Sequence, residues 1–257
     1  MTWWEALILG IVQGASEFLP ISSSGHLLLL EKLGIGTPSL LFNVTVHVGT
    51  LLAVLIALLK SWWPLLRHPL QKKTGYILIA CIPTVMIALV FKFALPSLLD
   101  GALLGFGFVL TACLLFAGEK LKSTTTALLS PKTSILTGIM QGIAVLPGVS
   151  RSGATISALT LQGVDKTTAA DFSFLLSIPI ILGSALLEGV EVAKSTVALD
   201  VGILPLIIGT AAAFISGLVS ITLFLKLIKK HSLLPFAVYA LLLGIVVTVL
   251  PLFGVKL

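Results

Sequence analysis

Six segments of this chain, at about 40–60, 75–95, 101–119, 168–188, 202–227 and 234–253, are long and apolar enough to span a bilayer, and none carries a charge at its centre. Crossing the hydrocarbon core of a bilayer takes about 20 such residues, and a water-soluble fold has no place for six of these runs. The composition agrees. Charged residues make up 10% of the chain and the mean hydropathy is +1.16, where a soluble domain carries about 25% charged residues. The expectation is an all-α integral membrane protein forming a single membrane domain over 1–257, with six transmembrane helices. Its start, "MTWWEALILG", has no basic n-region or small-residue cleavage site, so the first apolar stretch is expected to stay, with Trp3 and Trp4 as an interfacial anchor.

A net charge of +6 could suit a nucleic acid, but the positive residues fall in short clusters between apolar runs. That is the pattern that orients membrane proteins, and no nucleic-acid partner is expected. Cys81 and Cys113 lie inside apolar segments and read as small buried hydrophobes, not as a disulfide or metal-thiolate site.

Residues 1–31 and 132–165 do not fit the pattern of spans. Each is apolar but broken near its middle, by Pro20–Gly25 and by Pro147–Gly153, into halves too short to cross. Irregular backbone at membrane depth is tolerated only where protein or water satisfies its N–H and C=O groups. Two re-entrant helical hairpins with buried tips meet that condition.

The broken regions also resemble each other. "GIVQGASEFLPISSSG" begins at Gly10 and "GIMQGIAVLPGVSRSG" at Gly138. Gly10, Gln13, Gly14, Ser22, Ser24 and Gly25 recur 128 positions later, and Leu19-Pro20 recurs 127 later, as a deletion and a compensating insertion would leave them. A duplication follows, with repeat 1 over about 1–119 and repeat 2 over about 132–253.

Charge then orients the halves. Loops 60–73, 119–132 and 226–231 hold Lys60, Arg67, Lys72, Lys73, Lys120, Lys122, Lys132, Lys226, Lys229 and Lys230. Six spans put these loops on one side, provided each broken region enters and leaves by the same face. Glu188, Glu191 and Asp200, with Lys194, fall opposite. The positive side is cytoplasmic, which places both termini outside. The repeats then have inverted topology, an arrangement whose functional sites lie near the midplane where the repeats meet.

The tips carry the chemistry. Gln13 and Glu17 are four apart and share a helix face; as oxygen donors they suit a hard cation shared with phosphate oxygens. Ser22, Ser23 and Ser24 precede the second half-helix, where hydroxyls cap and free N–H groups bind anions. His26 follows in its first turn, on a face with Ser22 and Ser23. In the second tip, "PGVSRSGAT", Arg151 supplies planar donors suited to phosphate, with Ser150, Ser152 and Thr155 beside it. An arginine, amides and hydroxyls converging on a carboxylate and an imidazole point to phosphoryl chemistry on a lipid-linked phosphate. A transporter or flippase moving the same headgroup is the competing reading, since inverted repeats and broken helices serve that class as well.

"QGASEFLPISSSGH" and "LPGVSRSGAT" resemble the two signature motifs of the bacterial undecaprenyl-diphosphate phosphatase family of the bacitracin-resistance type, and length, span number and repeat agree nearly end to end. The resemblance implies a multi-pass enzyme of the bacterial plasma membrane. It would remove the terminal phosphate of a polyisoprenyl diphosphate, recycling the carrier for cell-wall synthesis, with a divalent cation (Mg2+ or Ca2+) and at the outer face; a homodimer is left open. By position, the acidic motif falls on Gln13 and Glu17, the serine–histidine segment on Ser22, Ser23 and His26, and the phosphate-binding motif on Ser150, Arg151 and Thr155. Gln13 stands where other members have Glu, so Glu17 is the one carboxylate in the tips and the candidate metal ligand. The nucleophile is open between His26 and Ser22 or Ser23. Phosphatidic-acid-type phosphatases also pair an "SGH" with a later "SR", but need a His and an Asp downstream, and "SGATISALT" offers neither close to Arg151.

Overall fold

Backbone chemistry sets the first break. Helix α1 (Trp3–Phe18) opens on a capping box between Thr2 and Glu5 and stops at Leu19, which is extended. Pro20 disfavours helix at the residue before it and brings no N–H of its own. Helix α2 (Ser23–Lys32) restarts under Ser22, whose hydroxyl accepts the Gly25 N–H at 3.3 Å. The second break repeats the plan. Helix α7 (Pro131–Ile143) is capped by Ser130, and α8 (Arg151–Leu161) by Ser150, whose hydroxyl accepts the Gly153 N–H at 3.1 Å.

The structure is a computed structural model that describes residues 1–121, 127–194 and 201–253. Among these residues there are eleven α-helices and no strand. Lys122, Asp200 and the C-terminal end, which entered the reading of charge and topology, lie outside the described residues. Four helices are long and apolar enough to cross a bilayer: α3 (Leu40–Ala57), α5 (Lys72–Ala94), α9 (Lys166–Lys194) and α10 (Ile203–Leu227). The other two expected spans are helices as well, α6 (Leu104–Lys120) and α11 (Leu234–Val249), but shorter. At 1.5 Å per residue, the 17 residues of α6 reach about 26 Å, a little short of the ~30 Å core. One element was not expected: loop 60–73 holds the short helix α4 (Leu59–Arg67), with Trp62 and Trp63 on it.

Packing is crosswise between the two halves of the chain. Helix α1 lies along α10, and α7, its counterpart in sequence, lies along α5; α6 pairs with α11 and α3 with α9. Close approach explains the repeated glycines. A Cβ on Gly10 would sit 2.3 Å from the Gly209 carbonyl oxygen, and one on Gly138 would sit 2.1 Å from that of Ala80.

The two ends of the bundle differ. One gathers Lys73 and Asp171 at 2.5 Å and Lys166 and Glu119 at 2.7 Å, tying α5, α6 and α9 together there. The other holds the Lys92–Glu191 ion pair and an apolar cluster of Ala6, Leu9, Leu27, Phe42 and Val201. The tips of the broken pairs α1–α2 and α7–α8 meet in the interior. Outside, Leu78, Ile82, Met86 and Phe93 of α5 point away from the protein and are more than half exposed. An apolar outer surface of this kind belongs against lipid.

Candidate active site

The two tips touch directly. A Cβ on Gly25 would come within 2.8 Å of the Gly148 backbone, and the Ser152 hydroxyl donates to the Leu19 carbonyl at 3.2 Å. Gly148, at φ +88°, makes the turn that lets the second tip approach. Helix α6 fixes that tip: the Thr111 hydroxyl donates to the Gly148 carbonyl at 2.9 Å and accepts the Ser150 N–H at 2.8 Å.

An ion pair that the sequence reading did not expect forms across this junction. Arg151 Nη2 donates to Glu17 Oε1 at 2.5 Å. The other carboxylate oxygen, Oε2, accepts the Ser23 hydroxyl at 2.6 Å and the Gln13 amide at 3.0 Å. Glu17 is buried while the Arg151 side chain is 23% exposed, so the guanidinium is the partner that faces open space. That space is a cavity of about 240 Å³, lined by Glu17, Ser22, Ser23, Ser150 and Arg151 together with residues from outside the tips.

The three consecutive serines, equivalent by sequence, separate into distinct roles. Ser22 is buried and spends its hydroxyl on the cap. Ser23 faces the cavity and bonds Glu17. Ser24 lines the cavity and is exposed. In the second tip, Ser150 caps α8, Ser152 bonds the Ser150 hydroxyl and Leu19, and Thr155 is fully buried against the Ser173 hydroxyl at 2.6 Å. Ser152 and Thr155 thus support the tip from behind and do not line the cavity.

His26 is not brought to the cavity wall. Its Nδ1 donates back to the Ser22 carbonyl at 2.6 Å, which leaves Nε2 to accept the Tyr239 hydroxyl at 2.6 Å. The ring stacks on Tyr239 and meets Phe108 edge-on. Tyr239 lies 213 positions away, on α11, and nothing in the first tip's sequence announces it.

Sequence reading missed His47 on α3, Thr84 on α5, Gln141 on α7, and Ser184 and Glu188 on α9, all of which line the cavity. One signal was available. Gln141 is the sequence counterpart of Gln13, and both keep a buried amide oxygen without a hydrogen-bond partner among the described residues. The Gln13 amide faces a carboxylate and so must present its nitrogen there; Gln141 turns its nitrogen to Thr84 Oγ1 at 3.2 Å.

Fold and site together define a multi-pass helical membrane protein with a polar cavity between two broken helix pairs. Residues 6–246 match the family described as bacitracin resistance protein BacA, and the chain belongs to that family. It is 39% identical to the undecaprenyl-diphosphatase of Carboxydothermus hydrogenoformans over 99% of both chains. It is 40% identical to that of Bacteroides fragilis, over 97% of this chain and 98% of the relative, and 41% identical to that of Christiangramia forsetii, over 95% and 97%.

Proposed function

We propose that this chain is an undecaprenyl-diphosphatase: a hydrolase that releases inorganic phosphate from undecaprenyl diphosphate and leaves the monophosphate. The relatives bear that name across nearly their whole length. The observation that carries the reading to chemistry is the Glu17–Arg151 pair, with Ser23 on the same carboxylate. Arg151 exchanges Glu17 for the diphosphate, since a guanidinium matches phosphate as well as carboxylate. The helix starts of α2 and α8 add N–H donors. Release of Arg151 leaves Glu17 free to take the Ser23 proton as Ser23 Oγ attacks the terminal phosphorus. The bond to the bridging oxygen breaks and the lipid monophosphate departs. Ser150 contacts the phosphate from the second tip. Ser22, Ser152 and Thr155 hold the tips in shape, and His26 braces α2 against α6 and α11.

The donor set suits a hard divalent cation such as Mg2+ or Ca2+: Glu17 and Ser23 offer oxygens, and Gln13 Oε1 is a buried oxygen still lacking a partner. Before Ser23 gives up its proton, Glu17 would hold the ion together with substrate oxygens, the usual arrangement where one carboxylate is at hand. Such an ion would neutralise charge on the diphosphate.

The same reading sets the topology at six crossing helices and two re-entrant pairs, with repeat 1 over about 1–119 and repeat 2 over about 132–253 in inverted orientation. The crosswise packing of α1 on α10 and α7 on α5 supports it. The Lys73 and Lys166 end would face the cytoplasm and the Lys92–Glu191 end the outside of the plasma membrane. Phosphate release from undecaprenyl diphosphate by the purified protein, with and without chelator, tests the function and the cation together. Release in detergent, where no two compartments exist, also separates hydrolysis from transport. Absence of release under all conditions would overturn the assignment.

A further inference from the structure

Attack by Ser23 leaves a phosphoserine, and a water molecule must then cleave it. That step needs a base, and Glu17 is not free to be one. It already carries the Ser23 proton, which it must return to Oγ as the P–Oγ bond breaks. Four ionisable side chains with charged forms near neutrality line the cavity: Glu17, His47, Arg151 and Glu188. Arginine cannot deprotonate. His47 and Glu188 remain, from α3 and α9, the two helices that pack together at the core of the bundle.

The geometry of His47 fits the task. Its Nδ1 lies 2.7 Å from the Asn43 carbonyl, so it must be the protonated nitrogen. The lone pair is thereby fixed on Nε2, and Nε2 has no hydrogen-bond partner among the described residues. The contrast with His26 is direct, because Tyr239 takes that ring's Nε2. His47 stands within electrostatic reach of both Glu17 and Glu188. Beyond Glu188 lie Glu191 and Lys92, paired at the end of the bundle.

We propose that His47 is a catalytic residue of dephosphorylation, its Nε2 taking the proton of the water that attacks phosphorylated Ser23, with Glu188 carrying that proton onward. This rests on Ser23 as the nucleophile. The balance is complete: the water oxygen bonds to phosphorus, its proton goes to Nε2, and the P–Oγ bond breaks. Oγ recovers its proton from Glu17, and inorganic phosphate leaves. His47 then passes its proton through Glu188 to water at the Lys92–Glu191 end, and both groups are reset.

The test is rapid-quench hydrolysis of undecaprenyl diphosphate by wild type, His47→Gln and Glu188→Gln, each confirmed monodisperse in detergent. His47→Gln is expected to keep a burst of lipid monophosphate equal to the enzyme present. Steady phosphate release should then fall about 100-fold, the usual scale of a lost general base, and phosphate should accumulate on Ser23 by mass spectrometry. Steady release within threefold of wild type overturns the proposal, as does loss of the burst itself in folded protein. Glu188→Gln leaves the imidazole in place and decides the matter if His47→Gln does not fold. Slowed phosphate release with an intact burst is expected, and wild-type release refutes the proton path. Ser23→Ala is the control for the underlying reading: if it still turns over, the nucleophile assignment fails first, independently of His47.

Discussion

The two tips share a sequence pattern but carry different residues into the cavity. The first stops its helix at Leu19-Pro20 and the second at Ile143, three residues before Leu146-Pro147, and both restart under a serine that caps the N–H of a glycine three residues on. The first holds the carboxylate and the free serine; the second holds the arginine where the first has Ser23. They also bend differently. The first tip puts its positive φ on a non-glycine residue, Ser22 at +71°, whereas the second puts it on Gly148 and leaves Ser150 at −75°. In the proposed reaction the shared pattern, varied at a few positions, serves as an attacking half and a clamping half. The strained serine sits on the attacking half, next to the residue proposed to react, where strain is commonly kept.

Substitutions at matched positions should break this symmetry. The largest effect is expected at Ser23, since losing a nucleophile removes the covalent route. Ser23→Ala should lower phosphate release by more than ~1000-fold. Arg151→Ala removes a donor to developing charge and should cost at least ~100-fold in turnover; near wild-type release from the folded variant would sink the clamping role. Gly25→Ala tests the junction itself, because its Cβ would meet the Gly148 backbone at 2.8 Å. Overpacking there should cost about 1–3 kcal/mol in denaturation of the purified protein. The smallest effect separates the two caps. Ser22→Gly relieves a strained φ and should raise stability by about 1 kcal/mol, whereas Ser150→Gly, with nothing to relieve, should lower it by a few tenths. Equal responses would mean that the two tips are not strained differently.

Much of this was legible because the sequence is punctuated. Apolar runs with no central charge gave the long helices, and the Pro/Ser/Gly clusters gave both breaks. The repeat gave the meeting of the tips, but the Glu17–Arg151 contact came only from the structure. Helix α4 was not legible: it is nine residues long with Pro64 inside it, and its basic residues read as a loop. The cavity wall away from the tips was hidden for another reason. His47 and Glu188 sit on long apolar helices, and only the packing of α3 against α9 brings them to one space. His26 shows the limit of local reasoning. Its spacing puts it beside Ser22 and Ser23, but a tyrosine 213 positions away takes its free nitrogen.

The central claim is a division of labour between the tips, and binding of a non-hydrolysable methylene analogue of undecaprenyl diphosphate tests it most directly. Ser23→Ala should bind the analogue as wild type does while failing to turn over substrate, and Arg151→Ala should lose affinity at least tenfold. Retained affinity in Arg151→Ala together with lost affinity in Ser23→Ala would contradict the account.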